Sequence, residues 1–404
     1  MKKTILLGLG LLAAVSLPAQ ENIQWRGDRT GIYKETGLQK SWTEEGPALR
    51  WNYNGLGEGH SSVAISSDKI YVTGLTDGKG YIYVFDLNGK LLNKKEYGSE
   101  WDKSYNGTRG TVTIDAGRVY LISGLGDVIC LTENNLDIVW QKNMLKDFEA
   151  DNITWGICES PLIVGEKLII SPGGKKNNVM ALNKFTGAII WSCPGDGDLS
   201  AYCSPLYVSD QQVPQIVTMM AKHIVGVDVA TGKKLWSYEN INRTNVHPNI
   251  PVYSDNMLLC TSGYGKGSVM LRLTDGGRNV EKVWESSDLD SRIGAMVKTG
   301  NYAYGSGDKN KFWFCVDWKT GEQKYKDNQF GIGNVIANVV GNDAMLYCYS
   351  DKGDFALVKA TPEKFDIVGK FSITLGTDQH WAHPVIYKGT LYVRHGNTLM
   401  AYKI

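Results

Sequence analysis

Neither sign of charge dominates this chain, and neither forms a long run: 43 lysines and arginines stand against 42 aspartates and glutamates in 404 residues. A nucleic-acid backbone is gripped through a surplus of positive charge, so this balance argues against nucleic acid as a partner. Proline is scarce, with 11 residues against 46 glycines, which suits an all-β protein rich in tight turns. Beyond residue 20 no apolar run is long enough to cross a bilayer, so no transmembrane segment is expected in the mature chain.

Several chemical signatures are missing as well. The seven cysteines are an odd number, which leaves at least one thiol free. No two of them have the two-residue spacing of a metal knuckle, and the Cys-x-x-Cys-His sequence of haem attachment does not occur. Cys130, Cys260, Cys315 and Cys348 sit inside apolar runs, where small buried thiols are the ordinary occupants. There is no Gly-x-Ser-x-Gly elbow, so nucleophilic hydrolysis has no support. Gly124-Leu125-Gly126 and Gly263-Tyr264-Gly265-Lys266-Gly267 lie between strand-like runs rather than before a helix, and neither reads as a phosphate loop.

What is present begins with Lys2 and Lys3, an apolar stretch from Ile5 to Leu17, and Pro18-Ala19-Gln20. This pattern is that of a bacterial secretory signal cleaved near Ala19 or Gln20, and it implies an exported, periplasmic protein. Residues 1–20 are then the signal peptide and 21–404 the mature domain.

That domain is repetitive. Apolar strand starts recur at Val63, Val112, Pro161, Pro205, Pro251, Met296, Asn338 and Pro384, separated by 42 to 49 residues. A second apolar run begins seven residues after each, at Ile70, Val119, Leu168, Leu258, Ala303, Met345 and Leu391, except in the fourth unit, where an insertion around Gln211 to Gln215 delays it to Ile216. A period of this size accommodates four strands of roughly 5–6 residues with short turns, the signature of a propeller blade. Units end in a Thr-Gly turn and an aromatic residue, as in Thr186-Gly187-Ala188-Ile189-Ile190-Trp191, Thr231-Gly232-Lys233-Lys234-Leu235-Trp236 and Thr320-Gly321-Glu322-Gln323-Lys324-Tyr325. The glycine supplies the positive φ of a two-residue hairpin, and the aromatic, with Trp51, Trp140 and Trp284 at the same place elsewhere, packs between blades.

Leu49-Arg50-Trp51-Asn52-Tyr53 resembles the last strand of a unit yet precedes the first strand start, whereas the eighth unit ends three strands in, at Ile404. The N-terminal strand therefore completes the last blade and removes two exposed sheet edges. The expected fold is all-β, a single eight-bladed β-propeller of four-stranded antiparallel blades, with seven blades as the rival count.

In a propeller the loops leading into the innermost strands gather at one mouth of the central channel. The residues preceding the strand starts include His60, Arg109, Glu159, Tyr202, His247, Arg292, Asn334, His380, Trp381 and His383. Four of the six histidines fall within these eight four-residue windows, far more than an even spread would place there. Convergent cationic, imidazole and aromatic groups, with Trp155 nearby, point to a ligand site at the channel mouth. The arginines suit a carboxylate or phosphate, the aromatics a flat ring or a sugar. The histidines come from separate blades, and nothing in their spacing defines a metal site.

The repeat resembles that of quinoprotein alcohol dehydrogenases and their pyrroloquinoline-quinone-like propeller relatives. Trp25-Arg26-Gly27-Asp28-Arg29-Thr30-Gly31, Gly46-Pro47-Ala48-Leu49-Arg50-Trp51, Gly107-Thr108-Arg109-Gly110 and Trp155-Gly156-Ile157-Cys158-Glu159-Ser160-Pro161 are similar to exported bacterial members. The resemblance implies a calcium-held quinone, with Glu159 as a calcium ligand, Arg109 or Arg292 polarising the reacting carbonyl and Trp155 or Trp381 stacking on the ring. The adjacent cysteine pair of those enzymes is missing and no aspartate stands out as the base. Other relatives, a scaffold of outer-membrane assembly among them, keep the blades without the quinone. Three readings follow: a propeller binding a small ligand or a protein partner at the channel mouth with no catalysis established, a calcium- and quinone-dependent alcohol or sugar dehydrogenase, and a non-catalytic interaction scaffold.

Overall fold

A computed structural model describes residues 21–309 and 311–404, so the expected signal peptide lies outside the described residues. Blade 3 illustrates the unit: Leu162–Val164, Lys167–Ile170, Val179–Asn183 and Ile189–Cys193 pair antiparallel in sequence order. Eight such sheets follow one another around a ring, and helix among the described residues is confined to one short 3-10 turn at Asp275–Gly277. The fold is an eight-bladed β-propeller.

The inner strands are Ala64–Ser66, Thr113–Asp115, Leu162–Val164, Leu206–Val208, Val252–Ser254, Val297–Thr299 and Val385–Tyr387, each starting one residue after the position read from the sequence. Blade 7 departs from this. Its inner strand, Gly333–Val340, is longer, and Asn338 pairs with Met345 as Ala64 pairs with Tyr71, so Asn338 is inside the strand rather than before it. The insertion in blade 4 falls between Leu206–Val208 and Gln215–Met219, as its delayed apolar run suggested.

Closure takes the expected form. Leu49–Tyr53 pairs with Thr398–Lys403, placing Trp51 opposite Ala401 as the outer strand of blade 8. In every blade a register shift interrupts the outermost pair just before the position that Trp51 occupies in blade 8. Such a bulge sharpens the local twist and re-aims the following side chain. That side chain reaches the next blade at four seams: the indole N–H of Trp51 donates to Leu87 O (2.9 Å), Trp140 to Lys184 O (2.9 Å), Trp191 to Val229 O (3.0 Å) and Trp284 to Trp318 O (3.2 Å). The turn each indole meets is not a two-residue hairpin. In blade 3 the loop runs from Asn183 to Ala188, Gly187 N donates to Asn183 O, and the Asn183 side chain accepts from Phe185 N and Thr186 N.

Between the blades apolar side chains fill the space. Tyr71, Ile82, Val119, Leu121 and Ile129 are all buried where blades 1 and 2 meet, and each such side chain contributes about 1.5–3 kcal/mol. Near the axis the seams are joined by hydrogen bonds. Ser62 N donates to Thr111 Oγ1, Thr111 N to Ser160 Oγ and Ser160 N to Ser204 Oγ, so three seams repeat one device.

The segment before blade 1 crosses the axis. Asn22 bonds to Ile65 of blade 1 and Ile23 O accepts from Ile114 N of blade 2, while Ile32–Tyr33 pairs in parallel with Ala337 and Asn338 of blade 7. Between these points two arginines reach outward. Arg29 donates to Ser160 O, Pro161 O and Pro205 O of blades 3 and 4, and Arg26 to Met296 O, Val335 O and His383 Nδ1 of blades 6, 7 and 8. A chain that touches the inner strands of seven blades closes the channel at that level.

Candidate functional site

Above this plug lies a cavity of about 220 Å³. The loops leading into the inner strands supply most of its wall: His60 in blade 1, Tyr105 and Arg109 in blade 2, Trp155 and Cys158 in blade 3, Tyr202 in blade 4, Arg292 and Ile293 in blade 6, and Trp381 and His383 in blade 8. Trp25 of the plug and Tyr264, from a hairpin within blade 5, line it too. Of the residues singled out in the sequence, His60, Arg109, Trp155, Tyr202, Arg292, Trp381 and His383 meet here.

Four do not. Glu159 is buried outside the cavity lining; its Oε1 accepts from Ser171 N at 2.9 Å, and Oε2 has no partner among the described residues. Burial raises its carboxyl from 4.5 to about 7, against the opposing pull of the Ser171 hydrogen bonds and Arg29. His247 is fully buried, with Nδ1 at 2.9 Å from Ser262 Oγ and Nε2 at 3.3 Å from Ala221 O, which makes it a strut between loops. Asn334 ties blade 7 to blade 8 by donating to Trp381 O and Ala382 O. His380 faces a small adjoining hollow beside Asp308 and Asp351, which shares Arg292, Ile293 and Trp381 with the cavity, and its Nδ1 is 2.6 Å from Tyr349 Oη. The position before an inner strand thus serves two purposes, lining the cavity and linking blades, and spacing alone does not separate them.

Trp25 and Tyr264 escaped the sequence reading because they lie outside the windows before the strand starts. Their signals were the Trp25 to Gly31 motif, whose arginines have no role in a blade, and the Gly263 to Gly267 turn, whose glycines failed as a phosphate loop but frame a tyrosine.

The aromatic wall is tightly ordered. Trp381 packs against Tyr105 and His60 with ring centroids 5.1 Å away from each, and Trp25 stands edge-on to His383 at 5.1 Å. Trp155 N donates to Tyr202 Oη at 3.2 Å. Tyr105, Tyr202 and Tyr264 all have left-handed backbone, with φ of 53°, 71° and 62°. For residues bearing a β-carbon that conformation costs roughly 1–2 kcal/mol each, and strain of this kind concentrates where a side chain must be aimed.

Electrostatically the site is one-sided, since no aspartate or glutamate lines the cavity. Arg109 donates to Tyr105 O at 2.6 Å and lies over the Trp101 ring, whereas Arg292 Nε is 3.4 Å from Asp308 Oδ1 at the cavity's edge. Beneath and beside the cavity, Arg26 and Arg394 are buried against main-chain carbonyls, Ser61 Oγ and His383, with no carboxylate bonded to either. Burial lowers these guanidinium groups only to about 10 and about 9, so both remain charged at neutral pH. The histidines stay neutral: burial, helped by Arg109 and Arg394, lowers His60 to about 3, and burial beside Arg26 lowers His383 well below the ordinary histidine range. Cys158, raised to about 11 by burial, is a thiol rather than a thiolate nucleophile.

A family model described as outer membrane protein assembly factor BamB, of the pyrroloquinoline-quinone-like repeat class, matches residues 126–361, more than half of the chain. The chain belongs to this family. No curated protein matches it in sequence. Among solved structures, BamB from Moraxella catarrhalis superposes with a TM-score of 0.63 at 14% identity, over 89% of this chain and 100% of that one. Quinohemoprotein alcohol dehydrogenase from Comamonas testosteroni gives 0.67 at 13% identity, over 96% and 81%. A europium-containing methanol dehydrogenase gives 0.67 at 13%, over 93% and 91%. At these identities the likeness is one of fold.

The resemblance to quinoprotein alcohol dehydrogenases raises the question of a calcium-held quinone, and the residues present do not fit one. Glu159, the ligand implied by resemblance, is outside the cavity lining and has the Arg29 cation as a neighbour. No carboxylate lines the cavity to bind a hard cation or take a proton, and no group of three or more His, Cys, Asp or Glu side chains among the described residues is placed to hold a metal ion. All seven cysteines are free. The arrangement offers arginine cations, neutral imidazoles and aromatic faces, which are means of holding a ligand.

Proposed function

We propose that this protein is an exported, periplasmic binding propeller that takes a small molecule into the axial cavity, with no catalysis assigned to it. The observation that carries the reading is the cavity's construction: a cup floored by Trp25 and the N-terminal plug, walled by strained tyrosines and by tryptophans packed at an angle against neighbouring rings. A channel mouth that is merely wet needs neither strain nor a floor.

The three lining tryptophans provide a direct test. Benzoate, phenyl phosphate, glucose and glucuronate, titrated at millimolar concentration, should include at least one probe that changes the intrinsic fluorescence saturably. Ile293→Trp, which fills the cavity from its wall, should abolish that saturation. An unchanged response in the filled variant, or no response to any probe, would overturn the reading.

A second reading, an envelope interaction scaffold, is favoured by the family match and by aliphatic pairs at one repeated rim position. Leu91 and Leu92, Ile138 and Val139, and Ile189 and Ile190 are exposed at the start of the outer strands of blades 1, 2 and 3. Serine at these positions would weaken a protein contact and leave the cavity response intact.

A further inference from the structure

The cavity's size and charge narrow its occupant further, on the reading that it binds a small molecule at all. An enclosed apolar cavity of about 150 Å³ accepts a benzene ring. The present one, at about 220 Å³ and open at its mouth, has room for one ring with a few substituents. Trp25, Trp155 and Trp381 give this space flat faces, which favour a planar ring or the apolar face of a sugar.

The charge argument is independent of size. Arg109 and Arg292 line the cavity, Arg26 and Arg394 are buried around it, and no carboxylate is among the lining residues; Asp308, 3.4 Å from Arg292 Nε at the cavity's edge, offsets only one of these four cations. Positive charge held in a partly desolvated place draws an anion more strongly than the same charge does in water. His60 adds a buried imidazole beside the main chain of Tyr105 and Asn106, a further polar group in the cavity wall. We propose that the occupant is a monocyclic organic anion, one ring bearing a carboxylate or a phosphate, with the anionic group on the side of Arg109 and Arg292 and the ring among the tryptophans.

Matched pairs of probes test this on the full mature chain: benzoate and phenyl phosphate against benzyl alcohol, and glucuronate against glucose, measured by isothermal titration at low and high salt. The anionic member of at least one pair should bind about tenfold or more tightly than its neutral partner, and added salt should erode that advantage. The aromatic and sugar pairs distinguish the two sources of the same chemistry. Arg292→Gln and Arg109→Gln should each remove about tenfold of the anion's affinity while leaving the neutral member within about twofold. Arg292→Lys should restore part of the loss, and thermal melts of all three variants verify folding. Equal affinity for charged and neutral members, or anion binding indifferent to both arginines, would overturn the proposal and leave the small-molecule reading standing. Tight binding of pyrroloquinoline quinone in preference to the single-ring anions would overturn it through its size argument. Failure of every probe would end both.

Discussion

Glu159 shows how a single side chain here can have a strongly perturbed carboxyl while lying outside the cavity lining. Its carboxyl is buried and raised from 4.5 to about 7, so between those values the folded protein holds a proton that the unfolded chain has released. Stability from this group is therefore present at low pH and is lost as pH rises from about 4.5 to 7. Burial lowers His60 to about 3 and His247 to about 4, which acts in the opposite sense: the unfolded chain takes up protons below 6.5 and stability is lost as pH falls. A difference measurement isolates the carboxyl. Glu159→Gln cannot ionise and keeps an acceptor for Ser171 N, so its stability relative to wild type, from urea midpoints, should rise between pH 5 and pH 8. A gap that stays constant across that range would show that Glu159 is ionised throughout.

At the scale of the element, the turn glycine of one unit and the tryptophan of the preceding one turn out, at four seams, to be two halves of a contact between units. Gly232 has φ of 75°, and a β-carbon there would come within 2.8 Å of the Trp191 ring of the preceding blade; at Gly165, with φ of 60°, it would meet nothing within 4 Å. Both glycines carry the left-handed penalty of about 1–2 kcal/mol for any other residue, but only one carries the clash. Gly165→Ala should therefore cost about 1 kcal/mol and Gly232→Ala at least twice that, as read by chemical denaturation. Equal costs would mean that the indole moves aside freely. The sequence made the glycine and the tryptophan visible but not their meeting, because identical modules do not say which neighbour each one touches. The same limit explains the cavity. Spacing located the loops that carry Arg109, Tyr202 and Trp381, yet it assigned His247 and Asn334 to the same mouth, since position along a strand leaves side-chain direction open. Asn338 was displaced by one residue because the long apolar inner strand of blade 7 has no sharp start. Arg26 and Arg29 stood out only as part of a motif; that they radiate to carbonyls of several blades depends on the ring being closed around them.

For the whole molecule the decisive place is the seam where strand Leu49–Tyr53 joins the C-terminal strands in one blade. Around the rest of the ring each blade is continuous chain, so separating two blades leaves both sheets intact. Blade 8 differs, because its outer strand, Leu49–Tyr53, is covalently remote from Thr398–Lys403, and the sheet itself can part there. Trp51 and Trp140 offer a matched comparison. Each is half-buried, each donates at 2.9 Å to a carbonyl of the next blade, and each covers a turn glycine, Gly89 or Gly187. Replacement by alanine should cost the two sites comparable equilibrium stability. If the ring first opens at the seam, contacts of Trp51 are already broken in the transition state for unfolding, whereas those of Trp140 are still intact. Trp51→Ala should then raise the unfolding rate in denaturant by about tenfold for each 1.4 kcal/mol lost and leave folding close to that of wild type, with Trp140→Ala slowing folding and leaving the unfolding rate nearly unchanged. The opposite assignment, with Trp51→Ala slowing folding and Trp140→Ala quickening unfolding, would place the first opening elsewhere on the ring.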